Sequence, residues 1–200
     1  MNIPDKQIFE FTYGEYRADD RITGVLMVIM SFFPHLIAMY TISIVIFAKC
    51  FHHLVFLVGL LSSHEIAKIM KKICKHPRPP GAFLTSYGMP SDHAMFMMFI
   101  NTYVVLLLNS NYRLKKSSKV LTTGMLCSVS VLVGYSRIYL GVHSLDQIVV
   151  GNIMGLAFGY FWFSFSARYI LASKSITRRF ESAHTCLHDI FLGSVNLKDS

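Results

Sequence analysis

The stretch "GVLMVIMSFFPHLIAMYTISIVIFA", residues 24–48, runs for 25 residues without a single Asp, Glu, Lys or Arg. A helix needs about 20 predominantly apolar residues to cross the hydrocarbon of a bilayer, so this segment reads as a membrane span. Working outward from it, further apolar runs occur at 52–70, 94–108, 120–135 and 148–172. Five spans are therefore expected. The third run is short and contains Asn101, so it is expected to extend into its flanks or to pack against the other helices.

The composition of the 200-residue chain agrees: 53% of it is hydrophobic, only 15% is charged, and the mean hydropathy is +0.46. The expected fold class is all-α, a polytopic membrane bundle of about five helices forming one domain. Residues 1–23 read as a polar N-terminal segment, 24–172 as the transmembrane domain and 173–200 as a basic cytoplasmic tail. No charged-then-apolar leader pattern opens the chain, so the first span is expected to act as the insertion signal. The net charge of +8 would suit nucleic acid in a soluble protein. Here the basic residues lie mostly between apolar segments, which favours topology and phosphate binding, and no nucleic-acid partner is expected. Cys50, Cys74, Cys127 and Cys186 are scattered without a CxxC pair and read as free thiols.

Five spans place the N-terminus, the 71–93 loop and the 136–147 segment on one face. The 49–51 turn, the 109–119 loop and the tail, with Lys49, Arg113, Lys115, Lys116 and Arg168 among their cations, share the other. The positive-inside rule makes that second face cytoplasmic, provided that Lys71, Lys72, Lys75, Arg78 and Arg137 opposite it are functional rather than topogenic.

Three polar clusters occupy the first face: "KKICKHPRP" at 71–79, "YGMPSDHAMF" at 87–96 and "SRIYLGVHSLDQ" at 136–147. Lys71 falls in the last turn of the second span, and Pro77 and Pro79 then leave Arg78 in an extended segment where its fork can meet phosphate oxygens. Ser91 follows Pro90 as a good N-cap, so the free N–H groups of the third span offer an anion site beside His93. The last cluster adds Arg137 and His143. Two arginines, a lysine, a helix N-terminus and two histidines suit phosphoryl transfer through a covalent intermediate. One neutral imidazole attacks, a protonated one serves the leaving oxygen, and the cations stabilise the equatorial oxygens. No metal or other cofactor is expected, because neither an HExxH motif nor an aspartate-rich ligand spacing accompanies the histidines.

These motifs resemble those of the type 2 phosphatidic acid phosphatase superfamily. Lys71 to Pro79 matches KxxxxxxRP, residues 90–93 match PSGH, and Ser136 to His143 matches SRxxxxxH, all in order. Residues 10–165 look more narrowly like the dolichyl diphosphate phosphatase branch. The resemblance implies the phosphatidic acid phosphatase type 2 fold, with His143 as nucleophile and His93 as general acid. It also implies Lys71, Arg78, Ser91, the Asp92 backbone and Arg137 as the phosphoryl-binding set. The implied substrate is a dolichyl or other polyprenyl diphosphate drawn from the bilayer, dephosphorylated at the lumenal face of the endoplasmic reticulum to recycle the carrier lipid of glycosylation. A broad lipid phosphate phosphatase and an inactive membrane scaffold or transporter are the alternatives.

Two departures stand out. PSGH has become PSDH, so a carboxylate sits where glycine would let the backbone approach phosphate, and Asp92 is expected to turn toward Lys71, Lys72 or Lys75. The superfamily pattern continues HxxxD, yet four residues after His143 stands Gln147, with Asp146 one position early. Either Gln147 or Asp146 orients His143: the glutamine if the region is helical, the aspartate if residues 144–146 form a turn. Glu65 is expected to pair with Lys68 or to lie in the bundle interior, and His35, His52, His53 and His64 read as structural or interfacial. Lys72 and Lys75 are the cations assigned to the extra charge of a diphosphate.

Overall fold

The structure is a computed structural model that describes residues 6–9, 14–17, 21–48, 51–82, 84–110 and 115–170. Among the described residues, five helices are long and apolar enough to cross a membrane. They are α1 (Arg21–Ala48), α2 (Phe51–Cys74), α3 (Asp92–Ser110), α4 (Lys116–Tyr139) and α5 (Leu145–Phe165), the last continuing as a π-helical turn over Ser166–Ile170. All five expected spans are present, each beginning some residues earlier than its apolar run. The third gains its length from both flanks, as its short run required. Residues 171–172 and the 173–200 tail lie outside the described residues, as do Cys50 and Cys186. Cys74 and Cys127 are free thiols.

The all-helical expectation needs one addition. Within the segment read only as polar, β1 (Lys6–Phe9) and β2 (Gly14–Arg17) pair antiparallel, with Lys6 opposite Arg17 and Phe9 opposite Gly14. Helix α1 begins at Arg21, so that residues 21–23 of that polar segment are already helical.

Helix α3 is the axis of the bundle and touches each of the other four helices. Its inner face carries Met97, Phe99, Ile100 and Tyr103, packed with Leu57 and Leu60 of α2 and Val133 of α4. The Phe99 ring stacks on Phe56 and on Phe158 at centroid separations of 5.9 and 5.6 Å. Trp162 donates its indole N–H to the Val55 carbonyl at 3.1 Å, so its one polar atom is satisfied inside the bundle. Outward, Phe47, Leu61, Val131 and Phe161 stand exposed on the helix faces. In water such surfaces would associate; acyl chains solvate them.

Two contacts decide where the polar ends lie. Along α5, Gly151, Gly155 and Gly159 face α3 so closely that a β-carbon at Gly151 would stand 2.7 Å from the Ser91 carbonyl oxygen. One at Gly155 would overlap the Met95 carbonyl. Small residues at every fourth position let two membrane helices meet backbone to backbone. Separately, Leu140 and Val142 are buried with Val28 of α1, which fastens the α4–α5 connection to the first helix. The result is one end of the bundle where three loops converge.

Candidate active site

Each polar cluster reaches this end through a helix boundary. Helix α2 closes with Lys71 and Lys72 in its last turn, and Lys75, at φ 48, turns the chain into the extended segment that carries His76, Pro77 and Arg78. Helix α3 opens at Asp92, with the Ser91 carbonyl accepting the Met95 N–H at 3.0 Å, so Ser91 occupies the N-cap position. Its hydroxyl, however, caps nothing: Ser91 Oγ is buried and has no hydrogen-bond partner among the described residues. Helix α4 ends at Tyr139, and the turn through Gly141, at φ 66, delivers His143 immediately before α5. The Arg137 carbonyl accepts from both Val142 N–H and His143 N–H, at 3.1 and 3.2 Å, and so ties this turn to the end of α4.

Arg78 joins the first cluster to the third. Its Nε and Nη2 donate to the carbonyl and hydroxyl of Ser86, at 2.9 and 3.1 Å, while Nη1 donates to the Val142 carbonyl at 2.7 Å. The same Nη1 stands 3.2 Å from His143 Nε2. A guanidinium only donates, so Nε2 must be the unprotonated, lone-pair nitrogen of that ring.

The other ring nitrogen gives the same answer. His143 Nδ1 lies 3.0 Å from Gln147 Oε1, and Gln147 Nε2 donates to the Pro77 carbonyl at 2.7 Å and to His76 Nδ1 at 3.1 Å. Because the Pro77 carbonyl can only accept, the amide must turn its NH2 that way and its oxygen toward His143. His143 is thereby held as the Nδ1–H tautomer. Gln147 Oε1 also accepts the Ser144 N–H at 3.4 Å, closing half a capping box at the start of α5. Gly88 makes the arrangement possible, since any β-carbon there would overlap the Gln147 amide. Gln147 is fully buried. Asp146 is exposed, and its carboxylate faces His76 Nε2 at 3.7 Å rather than His143.

Burial pushes the His143 imidazole down to about 3, helped by repulsion from Arg78, Arg137 and, last in order, Lys71; the Gln147 hydrogen bond works in the opposite direction. The ring is therefore neutral throughout the physiological range, with its lone pair on Nε2. Around it, Lys71 Nζ pairs with Asp92 Oδ2, so the carboxylate that replaces the superfamily glycine turns to the first of its three candidate cations. Lys72 and Lys75 are exposed. Asp92 Oδ1 and Arg137 Nε are, like Ser91 Oγ, buried polar atoms without a partner among the described residues. Unpaired buried donors are costly, and a serine hydroxyl and a guanidinium left in that state suit an anionic ligand. The Ser91 N–H itself is committed to the Gln147 carbonyl at 3.1 Å. His93, in the first turn of α3, is within electrostatic reach of His143, Arg137 and Lys71.

The sequence motifs and the geometry thus converge on one site. A profile of the PAP2 superfamily matches residues 52–171. The chain belongs to the PAP2 superfamily. It is 33% identical to Dolichyldiphosphatase 1 of Homo sapiens over 167 residues, covering 78% of this chain and 69% of the relative. To Dolichyldiphosphatase of Saccharomyces cerevisiae it is 30% identical over 164 residues, covering 78% and 68%. The crystal structure of a transmembrane PAP2 type phosphatidylglycerolphosphate phosphatase from Bacillus subtilis shares its fold, with a TM-score of 0.59 at 22% identity over 72% of this chain and 78% of that one. This PAP2 protein is an integral membrane lipid phosphatase, and its substrate is a lipid of the bilayer.

Several polar residues of this PAP2 site escaped the sequence reading. His76 lies inside the first motif, at a position the pattern leaves open, and nothing in its spacing marks it as a partner of Gln147. His35 and His64, read as structural or interfacial, line a cavity with His93 and Asp92. Glu65 does pair with Lys68, at 2.8 Å on the exposed face of α2, away from these groups. Among the described residues, no three His, Cys, Asp or Glu are grouped so as to hold a metal ion.

Proposed function

We propose that this phosphatase hydrolyses dolichyl or other polyprenyl diphosphate to the monophosphate and inorganic phosphate through a phosphohistidine on His143. The observation that carries the reading is the His143 ring itself, with Nδ1–H given to Gln147 and the Nε2 lone pair left beside the Arg78 guanidinium. In the first step Nε2 attacks the terminal phosphorus, the N–P bond forms, and the P–O bond to the lipid phosphate breaks. His93 supplies the proton to that oxygen. Water then attacks the phosphohistidine, His93 takes up the proton of the water, and phosphate departs. Lys71, Arg78, Arg137, the Ser91 hydroxyl and the amides opening α3, Asp92 among them, stabilise the equatorial oxygens, and Gln147 orients the nucleophile. No cofactor enters this scheme.

The named activity of the relatives supports the diphosphate substrate, and the charge distribution between the two faces supports a lumenal site. Recycling of a glycan carrier lipid in the endoplasmic reticulum follows as the biological role. The same reading assigns residues 1–23 to the active-site face and residues 173–200, which lie outside the described residues, to the cytoplasmic face.

The test is phosphate release by the purified protein from dolichyl diphosphate, dolichyl phosphate, phosphatidate and glucose 6-phosphate. The diphosphate is expected to be turned over fastest, His143→Ala to abolish release, and EDTA to leave the rate unchanged. Equal rates on phosphatidate would reduce the assignment to a broad lipid phosphatase. Chelator sensitivity would overturn the metal-free scheme.

A further inference from the structure

A cavity of about 230 Å³ lies between α1, α2 and α3, lined by Pro34, His35, Ala38, Leu61, His64, Asp92, His93 and Phe96. The His35 and His93 rings meet edge to face with centroids 5.4 Å apart, and His64 projects from α2 seven residues, about 10 Å, before Lys71. His35 and His64 are both exposed, on helices whose outer faces otherwise meet lipid, and the His35 ring is hydrogen-bonded to the Ser31 backbone. An imidazole facing lipid is costly unless its polar atoms are met, and the Ser31 bond occupies one ring nitrogen of His35 only.

We propose that this cavity is the subsite for the phosphate that stays on the lipid, with His35 and His64 as its ligands. The inference rests on the reading above, in which His93 protonates the leaving oxygen. In-line attack puts that oxygen on the side of phosphorus opposite His143 Nε2, next to His93. Whatever the oxygen is bonded to must then lie just beyond His93, which is where the cavity begins. In a diphosphate it is bonded to a second phosphorus, whose oxygens need hydrogen-bond donors and positive charge. His35 and His64 supply both, since a phosphate beside an imidazole favours its protonated form.

The remaining walls, Pro34, Ala38, Leu61 and Phe96, are apolar and suit the start of a hydrocarbon chain. Asp92 also borders the cavity, but its Oδ2 is paired with Lys71. A lipid monophosphate would place carbon there, and the two imidazoles would gain no partner. The subsite therefore selects diphosphates over monophosphates. The lysines assigned to the second phosphate from sequence, Lys72 and Lys75, do not line this cavity.

The experiment uses the full-length protein in detergent and three readouts: kcat/KM for a polyprenyl diphosphate, and the inhibition constants of pyrophosphate and of orthophosphate. In His35→Ala and His64→Ala, kcat/KM is expected to fall and the pyrophosphate constant to rise by about tenfold each. The orthophosphate constant should move less than about twofold, because that ion needs only the phosphoryl site. His35→Gln and His64→Gln, which keep a donor, should recover most of the loss. Equal weakening of both anions, or no change in pyrophosphate binding, would overturn the subsite. Wild-type protein that fails to hydrolyse the diphosphate at all would instead sink the proposed function, a distinct result from wild-type turnover that the variants leave untouched.

Discussion

Helix α5 meets its neighbours in two ways. Against α3 it closes to backbone contact through Gly151, Gly155 and Gly159, whereas from α4 it splays, leaving a cavity of about 780 Å³ bordered by Val131, Gly134 and Ile138 on one side and Ile148, Asn152 and Leu156 on the other. Both arrangements start at the same polar end. The closed seam brings the Ser91 N–H to the Gln147 carbonyl and so fixes the N-terminus of α3 relative to the residue that holds His143. The open side carries mostly apolar walls that acyl chains can fill, and α4 is linked to the site at its end, where the Arg137 carbonyl accepts the Val142 and His143 N–H groups. In a membrane, where lipid is as apolar as leucine, close fit and hydrogen bonds are what discriminate a fixed contact from a loose one.

The largest effect that would sharpen this contrast is expected at Gly155. Leucine there collides with the Met95 backbone, and the variant should fail to yield folded, active protein although no site residue is touched. Alanine at the same position should cost about 1–3 kcal/mol in thermal denaturation in detergent. Gly134→Ala, whose new methyl would meet only Ile148 at 3.4 Å, should cost nothing and can gain up to about 1 kcal/mol of helix propensity. Equal losses at the two glycines would break the comparison.

Next in size is the residue at the head of the seam. Gln147→Ala should lower kcat about a hundredfold with little change in KM, as loss of an orienting partner does, while Asp146→Ala should stay within about threefold. The reverse order would mean that the carboxylate reaches His143 in the working enzyme.

The smallest expected change is in pH dependence. A His143 pKa lowered to about 3 from its ordinary 6.5 keeps the nucleophile neutral on the acid side, so any acid limb of kcat/KM due to this ring lies near pH 3. Arg78→Gln removes a repelling cation, raises that pKa and should shift the limb to higher pH. A wild-type limb near 6.5 that ignores the substitution would contradict the electrostatic account.

Much of this was legible in the residues. The five spans follow from the apolar runs, the shorter ones extended into their flanks, and the three clusters announce themselves because ionisable groups in such a chain need a reason. The pairing of Asp92 with a lysine was foreseeable from charge, though not which lysine. The choice between Gln147 and Asp146 was not, since it turns on where α5 begins: with Ser144 as the cap, Gln147 occupies the third helical position and points inward. The glycine stripe at 151, 155 and 159 was visible as a spacing of four, but only the packed helices show that it faces α3.

Sequence by itself determined an all-helical membrane fold, the five apolar runs that become the five long helices among the described residues, and the three polar clusters that share one face. Hydropathy and motif order are local or linear properties, and the chain displays them without folding. Tertiary structure alone decided that Gln147 holds the His143 tautomer, itself anchored by Pro77 and His76, that Asp146 faces outward, and that His35 and His64 share a cavity with His93. Those facts depend on distances between helices far apart in sequence, set by how closely glycine lets them approach.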